Sequence, residues 1–215
     1  MATDIATMKT RIAREIGNRT DLTTEIGDAI NDAIDVYQDD RFYFNESRDV
    51  TFLTVAAQEF YTAADNANIP TLESIDYIMK FVGNNATELT YVLPDVMEDV
   101  SNSGTFQGEP YEYTYYQQKI RLFPVPNSAI TIRIGAHIKL AGPTSDTDAT
   151  NPWIIECERL IRSRAKYILA TQVTLDKDMA AAMSPDDGEA ARAFDEVKGR
   201  TNSITGTGIF AASNF

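Results

Sequence analysis

The sequence holds one cysteine, one histidine and one tryptophan, and it is short of positive charge, with 19 Lys and Arg against 32 Asp and Glu in 215 residues. A single thiol, Cys157, excludes an intrachain disulfide, and its apolar, helical neighbours make it a small core residue. A single imidazole, His137, leaves any histidine-dependent triad or multi-histidine zinc site to be built on one residue. One Cys with one His cannot fill the usual structural zinc sets. His137 lies in a strand pattern and reads as a surface or edge-strand residue. There is no Gly-x-x-x-x-Gly-Lys-Ser/Thr phosphate loop, and no Gly-x-Gly-x-x-Gly follows a strand. The repeat Thr205-Gly206-Thr207-Gly208 has neither a lysine nor a following helix.

Two further absences concern location. No apolar run approaches the ~18 residues of a membrane span, and Met1-Ala2-Thr3-Asp4 lacks the positive region and apolar run of a signal peptide. A soluble chain made in a reducing cytoplasm is expected. The formal net charge of −13 is spread along the chain, not gathered in a tail. Such a protein does not grip nucleic acid through phosphates, which takes clustered Lys and Arg. An even spread of negative charge is a solubility feature, and it also suits the wall of a conduit through which DNA slides.

Carboxylates are plentiful, and Asp39-Asp40 and Asp186-Asp187 are the obvious pairs for acid–base or metal chemistry. Neighbouring residues on a helix point about 100° apart, which is poor geometry for a shared ion. A helix C-terminal face beside Arg41 and a complement to a helix dipole account for the two pairs. No cofactor, metal or catalytic set is expected, and the chain reads as non-enzymatic.

Hydrophobic residues make up 43% of the chain, with ten Tyr and ten Phe, enough for a core with substantial sheet or interface content. Ile5, Met8, Ile12 and Ile16 share one helix face, Gly17-Asn18 is a stop, and Asp21 is a candidate N-cap. The next helix carries Leu22, Ile26, Ile30, Ala33, Ile34 and Tyr37. The run Phe42-Tyr43-Phe44 cannot all face one side of a helix and is read as locking this hairpin to the β-rich region after it.

Strand patterns dominate from Asp49, ending in the sharpest signals of the chain. Tyr111, Tyr113 and Tyr115 alternate with polar partners, Lys119–Phe123 comes after a Gln117-Gln118 turn, and Ile130, Ile132 and Ile134 oppose Thr131 and Arg133. These segments are expected to form an antiparallel meander. Pro94–Val100 reads as a short helix. After a polar linker at 141–150, Asn151-Pro152-Trp153 gives a cap, a first-turn proline and a helix to about Val173. A further segment starts near Asp176, restarts at Ser184-Pro185 and ends at Gly199. On the helix opened by Asn151, Arg159, Arg162 and Lys166 at i, i+3 and i+7 make a positive stripe, a solvated face or a contact for an acidic neighbour.

The expected fold class is therefore α+β: a helical bundle of N- and C-terminal helices with an inserted antiparallel β subdomain. The expected divisions are 1–47, a helical hairpin; 48–140, the β-rich insertion; 141–200, helices packing on the hairpin; and 201–215, an extended tail. That tail carries Ile204, Ile209, Phe210 and Phe215 among Gly, Ser and Asn, the pattern either of a frayed, disordered terminus or of a segment that orders on a partner.

Ala29-Ile30-Asn31-Asp32-Ala33 leading into Arg41-Phe42-Tyr43-Phe44-Asn45-Glu46 resembles the head-to-tail adaptor (head-completion) proteins of tailed bacteriophages. So do Gln58-Glu59-Phe60-Tyr61, Gly108-Glu109-Pro110-Tyr111-Glu112-Tyr113, and Lys119–Phe123 with Pro124-Val125-Pro126. The resemblance covers about residues 20–170, by the coarse match of elements. It implies a structural virion protein at the head–tail junction, forming a dodecameric ring with copies of itself. The ring would join the portal protein to a tail or nozzle protein, with DNA passing through unbound. On this reading Ile209, Phe210 and Phe215 are candidates for portal docking, and Arg159, Arg162 and Lys166 for a subunit or portal contact. A tail terminator or baseplate component, and a carbohydrate- or receptor-binding module using the tyrosine strand, are the alternatives.

Overall fold

The structure, a computed structural model, describes residues 4–101 and 106–205. The fold is α+β, and the chain divides into two compact units: Met1–Phe44 with Ala141–Phe215, and Asn45–Leu140.

In the helical unit, α1 (Ile5–Glu15) starts where the Asp4 carboxylate accepts the Thr7 N–H at 2.8 Å. That bond satisfies one of the donors a helix start leaves open. Its stripe Ile5, Met8 and Ile12 is buried. Gly17 and Asn18, both at positive φ, turn the chain. Asp21 does not cap the second helix, because Arg19 holds its carboxylate at 2.8 Å and a short 3-10 turn, Thr20–Leu22, intervenes. Helix α2 (Thr23–Tyr37) buries Ile26, Ala29, Ile30, Ala33, Ile34 and Tyr37, the three- and four-residue spacing of one helical face.

The C-terminal helices complete this unit. The Asn151 side chain accepts the Trp153 N–H to open α4 (Pro152–Glu156), and the chain breaks at Cys157 before α5 (Glu158–Gln172). Asp176 caps α6 (Lys177–Ala182) through the N–H groups of Asp178 and Met179. Helix α7 (Glu189–Thr205) opens on Glu189, so Asp186 and Asp187 lie ahead of its first turn; it also runs through Gly199, where the sequence suggested an end. Helix α5 is the hub, packing on α1, α2, α6 and α7. Trp153 and Phe42 are fully buried at its side. Phe42 meets Trp153 and Phe194 edge-on at 5.9 and 6.1 Å, and Phe44 meets Trp153 at 5.1 Å. The aromatic run thus ties the segment after α2 to α4 and α7. Truncating a buried ring of this kind costs about 3–5 kcal/mol.

The sheet unit contains β1 (Glu46–Leu53), β2 (Phe60–Tyr61), β3 (Leu72–Val82), β4 (Asn85–Glu88), β5 (Thr90–Tyr91), β6 (Gln107–Gly108), β7 (Glu112–Tyr116), β8 (Lys119–Phe123), β9 (Val125–Pro126) and β10 (Thr131–Ile138). Helix α3 (Pro94–Val100) lies between β5 and β6 in sequence. The first sheet runs β1-β10-β3-β4, the second β2-β8-β7-β5, and β6 pairs with β9. Phe52, Ile78, Ile132 and Ile134 from the first sheet share one buried core with Tyr61, Tyr113, Ile120 and Leu122 from the second. That is how two half-apolar sheets pack face to face.

The expected meander is corrected by the strand order. β7 and β8 do form an antiparallel hairpin around Gln117 and Gln118, both at positive φ. β10, however, leaves for the other sheet, where β1 and β3 pair with its two edges. Its inward Ile132 and Ile134 fit that central position. The neighbouring strands β4 and β5, separated only by Leu89, likewise belong to different sheets.

Candidate interaction surfaces

The residues that could carry chemistry are occupied structurally. His137 is not at an edge: it lies on the central strand β10, buried, with its Nε2 3.0 Å from the Asn45 side-chain nitrogen. Cys157 is buried at the break between α4 and α5, and loss of solvation pushes its thiol up to about 12, so it is a poor nucleophile. Asp40 pairs with Lys198 at 3.0 Å. Among the described residues, no group of three or more His, Cys, Asp and Glu side chains could hold a metal ion. No helix among them is long and apolar enough to cross a membrane. Of the aligned tyrosines, Tyr113 is buried and Tyr115 gives its hydroxyl proton to the Leu72 carbonyl at 2.7 Å, so that face of the strand belongs to the core.

The positive stripe on α5 is brought together as expected, and each cation holds carboxylates of its own chain. Arg159 bonds Glu189 at 2.8 Å and Glu196 at 2.6 Å on α7. Arg162 pairs with Glu15 on α1 and with Glu158 one turn back, and Lys166 reaches Glu15 at 2.7 Å. The stripe therefore joins α1, α5 and α7. Its bond to Arg159, first among several causes, holds Glu189 below the ordinary carboxylate range. A second network closes nearby: Tyr43 donates to Glu156, which also takes Arg200 at 3.2 Å. Burial first, then that bond, raises the Tyr43 hydroxyl above its ordinary value. Ile209, Phe210 and Phe215 lie outside the described residues.

Among the described residues of the sheet unit, Arg121 on β8 is a buried cation. Its guanidinium donates to Glu59 at 2.5 Å, to Glu98 of α3 at 2.7 Å and to Ser101, and it stacks 5.2 Å from the Phe60 ring. This side of β7 and β8 faces away from the shared core, so α3 covers the outer face of the second sheet.

Surfaces that sequence reasoning missed are the exposed apolar ones. Leu53, Val55, Phe60, Tyr91, Leu93, Val96, Val100, Phe106, Tyr111 and Tyr116 all stay exposed in the sheet unit. Large apolar side chains gathered on a surface mark interaction sites. For Leu53, Phe60, Tyr91 and Tyr116 the available signal was period-two alternation, in which every second residue of a strand must leave the core.

A family model described as SU10 adaptor protein matches residues 3–209, nearly the whole chain. No curated protein matches it. The chain belongs to the SU10 adaptor protein family, a structural adaptor of the phage virion.

Proposed function

We propose that the chain is the subunit of a homo-oligomeric, dodecameric ring at the head–tail junction, joining the portal to the tail or nozzle and lining the channel by which DNA leaves. The observation that carries this reading is the adaptor-family match over residues 3–209. Charge supports it. Lys9, Arg11, Arg19, Lys80, Arg121, Arg159, Arg162, Lys166, Lys198 and Arg200 all hold carboxylates of their own chain. With a net charge of −13 and ten of its 19 Lys and Arg side chains already held by carboxylates, the chain repels passing phosphates more than it clamps them, and DNA slides past. The role is architectural and asks for no catalysis.

On this reading Ile209, Phe210 and Phe215 are the portal anchors, apolar groups set among Gly, Ser and Asn. Arg159, Arg162 and Lys166 reach a neighbour or the portal only by exchanging carboxylates with Glu15, Glu158, Glu189 and Glu196. Arg159, its side chain 49% exposed, is the best placed to do so. Co-sedimentation with purified portal assemblies tests the reading. The full chain is expected to co-sediment, and a chain ending at Thr205 to stay behind with its fold intact. A full chain that never co-sediments with the portal would overturn the proposal.

A further inference from the structure

Two exposed faces of the sheet unit are unlike each other and lie on opposite sides of the sandwich. The first is the outer face of the β1-β10-β3-β4 sheet. Strand register places Leu53 and Phe81 on either side of Thr131, and Thr51 and Met79 on either side of Arg133. Tyr77 lies across Gly135 in the next row; a Cβ on that glycine would strike the tyrosine ring. Leu53 is 56% exposed, and Tyr77, Met79 and Phe81 are half-buried, so among the described residues of the sheet unit this apolar face has no strand or helix packed over it. At its middle, Arg133 is exposed and stacks 4.6 Å from the Phe81 ring. Among the described residues it pairs with no carboxylate, and its row ends in Glu88, in register with Met79 on the edge strand.

The second face is the outside of α3, which covers the other sheet. Met97 points inward, while Val96 and Val100, one turn apart, are each 48% exposed. Asp95 and Asp99 flank them on the same helix surface; both are exposed, and among the described residues neither pairs with a cation.

The geometry points to α3 of one copy docking on the outer face of the first sheet of the next copy, as the contact that repeats around the ring. The two faces match in character, an acidic apolar ridge against an apolar platform centred on one unspent arginine. Charge complementarity fixes register and excludes wrong partners, and Asp95 and Asp99 give Arg133 the carboxylates it lacks. Because the faces stand on opposite sides of one sandwich, the contact is head-to-tail, the kind that generates a closed ring when its rotation closes. The assignment rests on the ring reading and names the surface that reading leaves open.

The test is a charge reversal with rescue, read by mass photometry and negative-stain imaging of the full chain with and without the portal. Arg133→Glu is expected to weaken ring assembly roughly tenfold or more, the effect of setting like charges against each other across an interface. Its circular dichroism is expected to match wild type, since Arg133 is exposed. Combining Arg133→Glu with Asp95→Lys and Asp99→Lys in one chain is expected to restore rings. Wild-type rings that Arg133→Glu leaves untouched would overturn this contact and leave the ring standing. A wild-type chain that forms no ring even on the portal would overturn the ring itself.

Discussion

The helical unit and the sheet unit use charge in opposite ways. In the helical unit cations are joints. Arg159, Arg162 and Lys166 tie α5 to α1 and α7, from half-exposed Arg159 to buried Lys166, while Trp153 and Phe42 fill the interior. In the sheet unit one cation, Arg121, is buried under α3, and another, Arg133, is left on the surface among apolar side chains. The difference teaches where each unit can give something to a partner. The cations of the α5 stripe are already taken by their own chain, whereas a sheet with apolar outer rows and an unspent arginine offers a platform.

The largest effect that breaks this comparison is in the helical core. Trp153→Ala should lower stability by about 3–5 kcal/mol, the range for truncating a buried aromatic ring, measured by denaturant unfolding. Next is the sheet unit's buried cation. Arg121→Ala should cost roughly 3 kcal/mol, because Glu59 is left without the partner that offset its desolvation. A cost near zero would mean that Glu59 turns out to water.

Alkaline pH sharpens the contrast. Burial raises the Tyr113 hydroxyl from 10.0 to about 12 in the sheet unit, and burial raises the Cys157 thiol from 9.0 to about 12 in the helical unit. Both folds favour the neutral form. Their contribution is therefore complete below the unfolded values and lost as pH climbs through the folded ones. Stability should hold to about pH 9 and fall towards pH 12. Tyr113→Phe should blunt the part of that loss that accompanies phenolate absorbance. The smallest effect is expected at the stripe, where Arg159→Ala should leave the denaturant midpoint nearly unchanged, as for an exposed ion pair screened by solvent.

Much of this was legible in the sequence, for local reasons. The stripes of α1 and α2, the Asn151-Pro152 start of α4 and the Asp176 start of α6 come from period and capping chemistry acting over a few residues. What was hidden depends on distant partners. Nothing near β10 says that it pairs with β1 and β3, and not with β8, its predecessor in the hairpin. The positive stripe was visible, but Glu15, which holds two of its members, lies 147 residues from Arg162. Gly199 looked like a helix stop, yet α7 runs through it, and Thr201 beyond it is held by the Tyr43 N–H and the Val197 carbonyl. The apolar platform around Arg133 was half visible: alternation placed Arg133 outward, but only the register of three strands shows Leu53, Met79 and Phe81 beside it.

The adaptor reading is tested most directly by negative-stain imaging of the purified chain mixed with portal rings. The expected result is a twelve-fold ring of added density on the tail-facing end of the portal, with an open channel along its axis. Portal rings that look the same with and without the chain, while the chain stays monomeric, would contradict it.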